Sequence, residues 1–275
     1  MRRQKKIKMC VSENKKSNEQ FAVVTGASQG LGKAFSMELA RRKINVILVS
    51  LPNQNLEEWS AEIREKFDVK SFYFETDLSV NENVLKLSEW INRNFCVNIL
   101  INNAGMGGSK KFMDADVNYI NNIMQLNVVA TSILSHQLLP NLMNQPKSYI
   151  LNVSSMAAFS PIGYKTVYPA SKSFVHSFSR GLYEELKDTN VFVSVVNPGA
   201  MKTSEEITKR IEKQGFFGRL TLLKPENVAK RCITQLFNRD TVIMVNSFSW
   251  AMLHLLPIWI RLPLMTRAIK REVEI

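Results

Sequence analysis

FAVVTGASQGLG, residues 21–32, runs from five β-forming residues into a turn holding Gly26, Gly30 and Gly32, and then into the helical pattern LGKAFSMELARR of residues 31–42. In that pattern Leu31, Phe35, Leu39 and their neighbours recur at three- and four-residue steps, the spacing of one buried helix face. Glycines between a strand and a helix let the backbone turn tightly and approach a pyrophosphate, while the helix N-terminus offers unpaired N–H donors and a favourable dipole. At the head of an alternating chain this turn reads as dinucleotide binding, against the alternative of a plain glycine loop.

The chain beyond it does alternate. Further short β-rich runs follow at NVILVS (45–50), SFYFE (71–75), VNILI (97–101), SYILNV (148–153), VFVSVV (191–196) and VIMV (242–245), separated by longer helix-like segments. Runs that are apolar at nearly every position suit strands covered on both faces, the condition of a parallel sheet flanked by helices. The expected fold is α/β: a Rossmann-type doubly wound, mostly parallel seven-stranded sheet with helices on both faces, a single domain over residues 20–246. Residues 1–19 read as a flexible basic N-terminal arm and 247–275 as an apolar and basic C-terminal segment.

Bulk composition narrows the class. The 275 residues are 45% hydrophobic and 22% charged, as in a soluble globular protein, and no apolar run reaches the ~18 residues of a membrane span. Cys10, Cys96 and Cys232 show no metal-ligand or disulfide spacing, which fits a reducing, cytoplasmic setting, and the dispersed histidines give no support to a metal site. Much of the net charge of +12 sits in MRRQKKIKMCVSENKK, read as a solvated terminus, with nucleic-acid binding the less favoured alternative. At the other end, SFSWAMLHLLPIWIRLPLMTRAIKR (247–271) combines tryptophans and aliphatics with prolines and late basic residues. Packing over the body or a neighbouring subunit, and peripheral contact with a membrane surface, both remain open for it.

YPASK (168–172) places Tyr168 and Lys172 one helical turn apart on one face. A free phenol has a pKa of about 10 and holds its proton too tightly to act as a base near neutrality; a neighbouring ammonium favours the phenolate and is expected to bring that pKa down. Hydride exchange with a carbonyl or an alcohol needs such a proton partner. Pro169 is tolerated in the first turn of a helix, where its missing N–H breaks no bond.

The spacing TGxxxGxG, Asp77 in TDLS, NNAG at 102–105, Asn127 in QLNVV, NVSS ending at Ser155, YPASK, and NPGAMKT at 197–203 stand in one order along residues 20–246. In this the chain resembles the short-chain dehydrogenase/reductase family. The resemblance implies an NAD(P)-dependent oxidoreductase in which Tyr168 is the acid/base, Lys172 lowers its pKa and binds the nicotinamide ribose, and Ser155, thirteen positions before Tyr168 and preferred over Ser154, binds the substrate oxygen. Asn127 would hold a proton-relay water. It further implies cofactor contacts from Gly26, Ser28, Gln29, Gly30, Leu31 and Gly32, from Ser50, from Asp77 and Leu78, from Asn103, Ala104 and Gly105 with Asn102 beside them, and from Pro198, Gly199 and Thr203. Asp77 is open between accepting from the adenine amino group and capping the next helix. Relatives often form homodimers or homotetramers through the helices that hold Asn127 and Tyr168.

Cofactor choice is read just after the second strand, in VSLPNQN (49–55), where an acidic side chain would bind a ribose 2′-hydroxyl and exclude a 2′-phosphate. No acid stands there. Ser50, Asn53, Gln54 and the nearby Lys33 can donate to a phosphate, so NADP(H) is favoured over NAD(H), although Leu51 and Gln29 stand where many NADP-dependent relatives carry basic residues. The substrate is expected to be a small hydrophobic carbonyl or alcohol, with Met156, Phe159, Ile162 and Tyr164 near Ser155 and with Phe216 and Phe217 in the loop 204–223. His176, two turns beyond Tyr168, reads as a packing residue. The competing reading is a catalytically silent dinucleotide-binding regulator or scaffold, disfavoured by the intact Asn127, Ser155, Tyr168 and Lys172.

Overall fold

The computed structural model describes residues 19–199, 201, 223–246, 255 and 257–273. Seven strands form one sheet: β1 (Gln20–Thr25), β2 (Asn45–Ser50), β3 (Ser71–Glu75), β4 (Cys96–Asn102), β5 (Ser148–Val153), β6 (Val191–Val196) and β7 (Val242–Ile243). Their order is β3-β2-β1-β4-β5-β6-β7, every pair parallel. The expectation of a mostly parallel, doubly wound sheet is met, with no antiparallel strand among those described.

Continuous apolar runs bury both faces of the strands. Ala22 and Val24 of β1 and Val46 and Leu48 of β2 join the core under α1 (Gly30–Arg41) and α2 (Leu56–Phe67), which α7 (Pro225–Phe237) completes. Phe21, Val23, Ile47 and Val49 point the other way, into the core under α3 (Asn81–Asn94), α5 (Ala130–Met143) and the C-terminal part of α6 (Val167–Leu186). The α1 stripe behaves as its spacing requires: Leu31, Phe35 and Leu39 are all buried, each side chain contributing about 1.5–3 kcal/mol by leaving water. Between β4 and α5 lies α4 (Val117–Met124), joined to α5 by a single π turn, Gln125–Val129. The last element is α8 (Ile258–Val273).

Chain order reverses between β1 and β4, so the loops leaving their C-terminal ends diverge to opposite faces and open a crevice there. The glycine turn and the NNAG segment are those two loops. β5, whose C-terminal end carries Ser154 and Ser155, pairs with β4 on the side away from β1.

Candidate active site

The crevice is closed from below by one hydroxyl. Thr25 Oγ1, at the end of β1, donates to the Ile101 carbonyl (3.3 Å) and accepts from the backbone N–H groups of Asn103 and Ala104 (2.9 Å each). Asn103 returns the link, its amide donating to the Thr25 carbonyl at 2.8 Å. Gly26 follows with φ +67°, a left-handed conformation that side chains disfavour. A Cβ on Gly32 would lie 2.0 Å from the Gly26 carbonyl oxygen, so the first turn of α1 packs directly on the loop. Gln29, the residue before α1, is extended and supplies no side-chain cap, so the leading N–H groups of the helix take no acceptor from it. This turn fits a pyrophosphate: backbone donors at a helix N-terminus, with no side-chain bulk in the way.

The polar residues at the end of β2 are arranged differently from expectation. Ser28 and Ser50 both donate to Gln54 Oε1, at 2.5 Å each, and their hydroxyls lie 2.8 Å apart. The three side chains satisfy one another, so the serine hydroxyls are not aimed outward as phosphate donors. Lys33 Nζ sits 4.1 Å from the centre of the Trp59 ring.

Asp77 braces a turn. Its Oδ1 accepts from the Ser79 N–H (2.8 Å) and hydroxyl (2.7 Å), holding the turn before α3; the N-cap of that helix is Val80, which rules out the expected helix cap. The Leu78 side chain is core, which leaves only its backbone for a ligand. Asn102 is likewise interior rather than beneath a ligand: its amide donates to Ser135 (3.0 Å) and Asn152 (2.8 Å), and Asn152 donates to Ser179 (2.9 Å), a buried chain running from α5 through the sheet to α6.

The catalytic candidates converge at the C-terminal end of β5 and the first turns of α6. Ser155, extended, accepts from the Ala157 N–H at 3.1 Å, and its hydroxyl lies beside the Tyr168 phenol. Ser154 is buried and donates to the Lys172 carbonyl (2.7 Å), which leaves Ser155 as the hydroxyl beside the phenol. Burial pushes the phenol above its ordinary pKa of 10, the Ser155 hydroxyl opposing it. This is the reverse of the expected depression by Lys172. Lys172 is itself only 5% exposed, and its Nζ donates to the Val153 carbonyl at 2.8 Å. Burial brings Lys172 itself down to about 8.

Asn127 lies in the π turn, a local widening that often marks functional sites. Its amide is occupied: Oδ1 accepts from the Met106 N–H, and Nδ2 donates to the Met106 carbonyl and to Ser171 Oγ, all at 2.9 Å, while Ser171 donates to the Tyr168 carbonyl at 2.7 Å. The side chain braces the NNAG loop against the catalytic helix. Gly105 is the meeting point, since a Cβ there would lie 3.1 Å from both Asn127 Oδ1 and Lys172 Nζ. A Cβ on Gly107 would lie 3.0 Å from the Tyr168 ring, so the loop after Gly105 covers the phenol. Tyr164, just before α6, holds φ +62° and accepts from the Lys110 N–H at 2.7 Å, fastening that loop.

Of the other expected contacts, Met156 and Ile162 are buried, and Phe159 packs edge-on against His176 at 4.9 Å. His176 does more than pack: its Nδ1 is 3.2 Å from Asn197 Oδ1, tying the catalytic helix to the residue before Pro198 and Gly199. Pro198 accepts from the Met156 N–H at 2.9 Å. Burial lowers the His176 pKa, opposed by the Asn197 bond and assisted by Arg180. Thr203, Phe216 and Phe217 lie outside the described residues. Thr25, Met106, Val153, Ser171 and Asn197 escaped the sequence reading; the one signal for Thr25 was its place before the first glycine.

Comparisons with known proteins agree with this geometry. The model of a family described as short chain dehydrogenase matches residues 20–214. The very-long-chain 3-oxoacyl-CoA reductase of Mus musculus is 31% identical over 249 residues, 87% of this chain and 76% of that one. The hydroxysteroid dehydrogenase-like protein 1 of Gallus gallus is 30% identical over 200 residues, 72% of this chain and 60% of that one. Among solved structures, a short-chain dehydrogenase from Sphingobium yanoikuyae in complex with NADPH has a TM-score of 0.75 at 25% identity, covering 86% of this chain and 92% of that one. The L-sorbose reductase from Gluconobacter frateurii, complexed with NADPH and L-sorbose, has a TM-score of 0.75 at 25% identity, covering 83% and 95%. With the glycine turn, the reversal point of the sheet and the Ser155, Tyr168 and Lys172 cluster in place, the chain belongs to the short-chain dehydrogenase/reductase family of oxidoreductases.

Proposed function

We propose that the protein is an NADP(H)-dependent reductase of hydrophobic carbonyl compounds, 3-oxoacyl thioesters foremost among them, with Tyr168 as the acid/base. The observation that carries this reading is the grouping of Ser155 beside the Tyr168 phenol with Lys172 one turn away, the last two against the loop that follows β4. A catalytically silent scaffold would have no need of a buried lysine with no acidic partner among the described residues. The 3-oxoacyl class rests on the 30–33% identity to very-long-chain 3-oxoacyl-CoA reductases. NADP(H) over NAD(H) rests on the missing acid in residues 50–55 and on the NADPH held by the two solved relatives.

A bound reduced nicotinamide supplies the hydride that reaches the carbonyl carbon. Tyr168 transfers its phenolic proton to the carbonyl oxygen as the alcohol forms, and Ser155 donates a hydrogen bond to that same oxygen. Burial suits the forward direction, because a phenol held above its ordinary pKa is protonated throughout the neutral range. Lys172, near its own midpoint at about 8, would restore the proton through a relay, and the relay water assigned to Asn127 rests on a group other than its Nδ2, both of whose protons are engaged. Gly26–Gly32, Asn103–Gly105 and Pro198–Gly199 would hold the cofactor along the crevice, with Thr203 at its nicotinamide end. A homo-oligomer belongs to the same reading, through α4, α5 and α6, which expose Val117, Met124, Met143 and Phe174.

The test is to titrate purified protein with NADPH and NADH by fluorescence, and then to screen 3-oxoacyl thioesters and ketones of increasing chain length for cofactor oxidation. Tight NADPH binding with turnover that rises with chain length is expected. Cofactor binding with no turnover of any carbonyl would favour the scaffold reading instead.

A further inference from the structure

We propose that α8 is a docking face for an anionic lipid surface. The helix has two sides. With 3.6 residues per turn, Thr266, Ile269 and Val273 share one arc. There Ile269 is buried, and Thr266 Oγ1 accepts from the Gly163 N–H at 3.0 Å, with a Gly163 Cβ only 2.6 Å from the threonine methyl. This arc seats α8 on the segment between Ser155 and Tyr168.

An arc of about 140° runs from Trp259 through Lys270, Pro263, Arg267 and Arg271 to Leu264, and these six residues are exposed, with the half-buried Ile260 among them. Trp259 is 73% exposed and Leu264 53%, and Leu255, just ahead of the helix, is 80% exposed. Isolated apolar residues on a surface need no explanation, but these sit together and share an order along the axis. Trp259, Pro263 and Leu264 occupy the first half of the helix, and Arg267, Lys270 and Arg271 the last two turns. At 1.5 Å per residue the apolar and basic groups are centred about 11 Å apart along the axis, so a helix lying in the membrane plane presents both to one surface. No acidic residue stands in this arc.

Charge chooses the occupant. A second copy of the chain laid face to face on α8 would bring the same three cations together, in a protein whose net charge is already +12. A lipid layer with negative headgroups takes tryptophan and leucine below its surface and the arginines and lysine at it. No described helix is long and apolar enough to cross a membrane, so the contact is with one face of the bilayer. The docking holds whatever the site beside it catalyses; if the site accepts long acyl chains, the lipid lies next to the loop that leads to Tyr168.

The full chain is to be co-sedimented with vesicles of phosphatidylcholine alone and with phosphatidylserine added, at low and high salt. Binding is expected to be roughly tenfold stronger to the phosphatidylserine vesicles and to fall with salt. It should weaken at least about fivefold in Trp259→Ala/Leu264→Ala and, separately, in Arg267→Glu/Arg271→Glu, with circular dichroism and NADPH oxidation by a short soluble ketone unchanged. Absence of vesicle binding overturns the proposal. So does binding that neither double variant weakens, which would move the contact to another basic surface, and so does a change in native mass by light scattering in place of a loss of vesicle binding, which would make α8 a self-contact. Should a double variant misfold, the single substitutions Trp259→Ala and Arg271→Glu take its place, with the same loss of vesicle binding expected and the same outcomes overturning the proposal.

Discussion

Around the glycine turn the chain makes room by leaving side chains out, whereas at the Tyr168–Lys172 end it fills the space with polar and charged ones. The first region is held by backbone contacts, with Gly32 against the Gly26 carbonyl and Thr25 bonded to the N–H groups of Asn103 and Ala104. In the second, a lysine is 5% exposed and its ammonium donates to the Val153 carbonyl, with no carboxylate paired to it among the described residues. The nucleotide end should therefore fail when volume is added and the catalytic end when a functional group is removed, and only the first failure should reach the fold.

The largest effect expected is at Tyr168. Replacing it by Phe deletes one hydroxyl and keeps the ring that packs beneath Gly107, so turnover should fall on the order of 10³-fold while NADPH affinity and Tm stay close to those of the unmodified chain. Steady-state kinetics with a thermal melt on the same sample checks this; near-normal turnover would remove the acid/base assignment. Gly32→Ala should give the opposite profile. Its methyl meets a backbone carbonyl at 2.0 Å, and the loop must shift, so Tm should drop by several degrees and NADPH affinity by at least about tenfold together. An alanine variant with unchanged affinity would show that the contact between α1 and the turn is dispensable.

Lys172 gives a smaller and pH-dependent signal. Its folded value is about 8 against an ordinary 10.5, so between those pH values the unfolded chain keeps the proton that the folded chain has released. Stability from this group therefore rises with pH across the window and is lowest below it, by roughly 3 kcal/mol in all. Compared with Lys172→Met, which cannot titrate, the unmodified chain should gain in chemical-denaturation midpoint from pH 8 to pH 10. Parallel pH dependence in the two proteins would mean that the ammonium is better solvated than its burial implies.

How far each region could be read from sequence follows the same division. The seven strands and the glycine turn were legible because they depend on what a residue is: an apolar run needs two covered faces, and a missing Cβ needs no partner. Tyr168, Lys172 and Ser155 were legible as a spaced set. The partners were not. Thr25 finds Asn103 and Ala104 only through the pairing of β1 with β4, and Asn127 finds Met106 and Ser171 only because the π turn swings it between a loop and a helix. Asp77 has a carboxylate suited to adenine, but the serine two residues on claims one oxygen. The direction of the Tyr168 shift is set by burial of the phenol, and spacing along a helix does not determine that.

The smallest effect tests the polar cluster at the nucleotide end, the one place there where side chains rather than gaps decide. Gln54 Oε1 accepts from Ser28 and Ser50, so the pair is held by a neutral oxygen. Gln54→Glu keeps an oxygen in that position for both hydroxyls and adds a negative charge where a ribose 2′-phosphate would lie. The fold should be indifferent to the change, since this half-buried residue takes no part in either apolar core. NADPH affinity should fall by roughly fivefold to tenfold through like-charge repulsion at partial exposure, and NADH, with no 2′-phosphate, should bind as before. Fluorescence titration of both cofactors against the variant measures the ratio directly. If the two affinities move together, Gln54 acts on the shape of the loop and not on the phosphate, and the nucleotide end is governed by space alone.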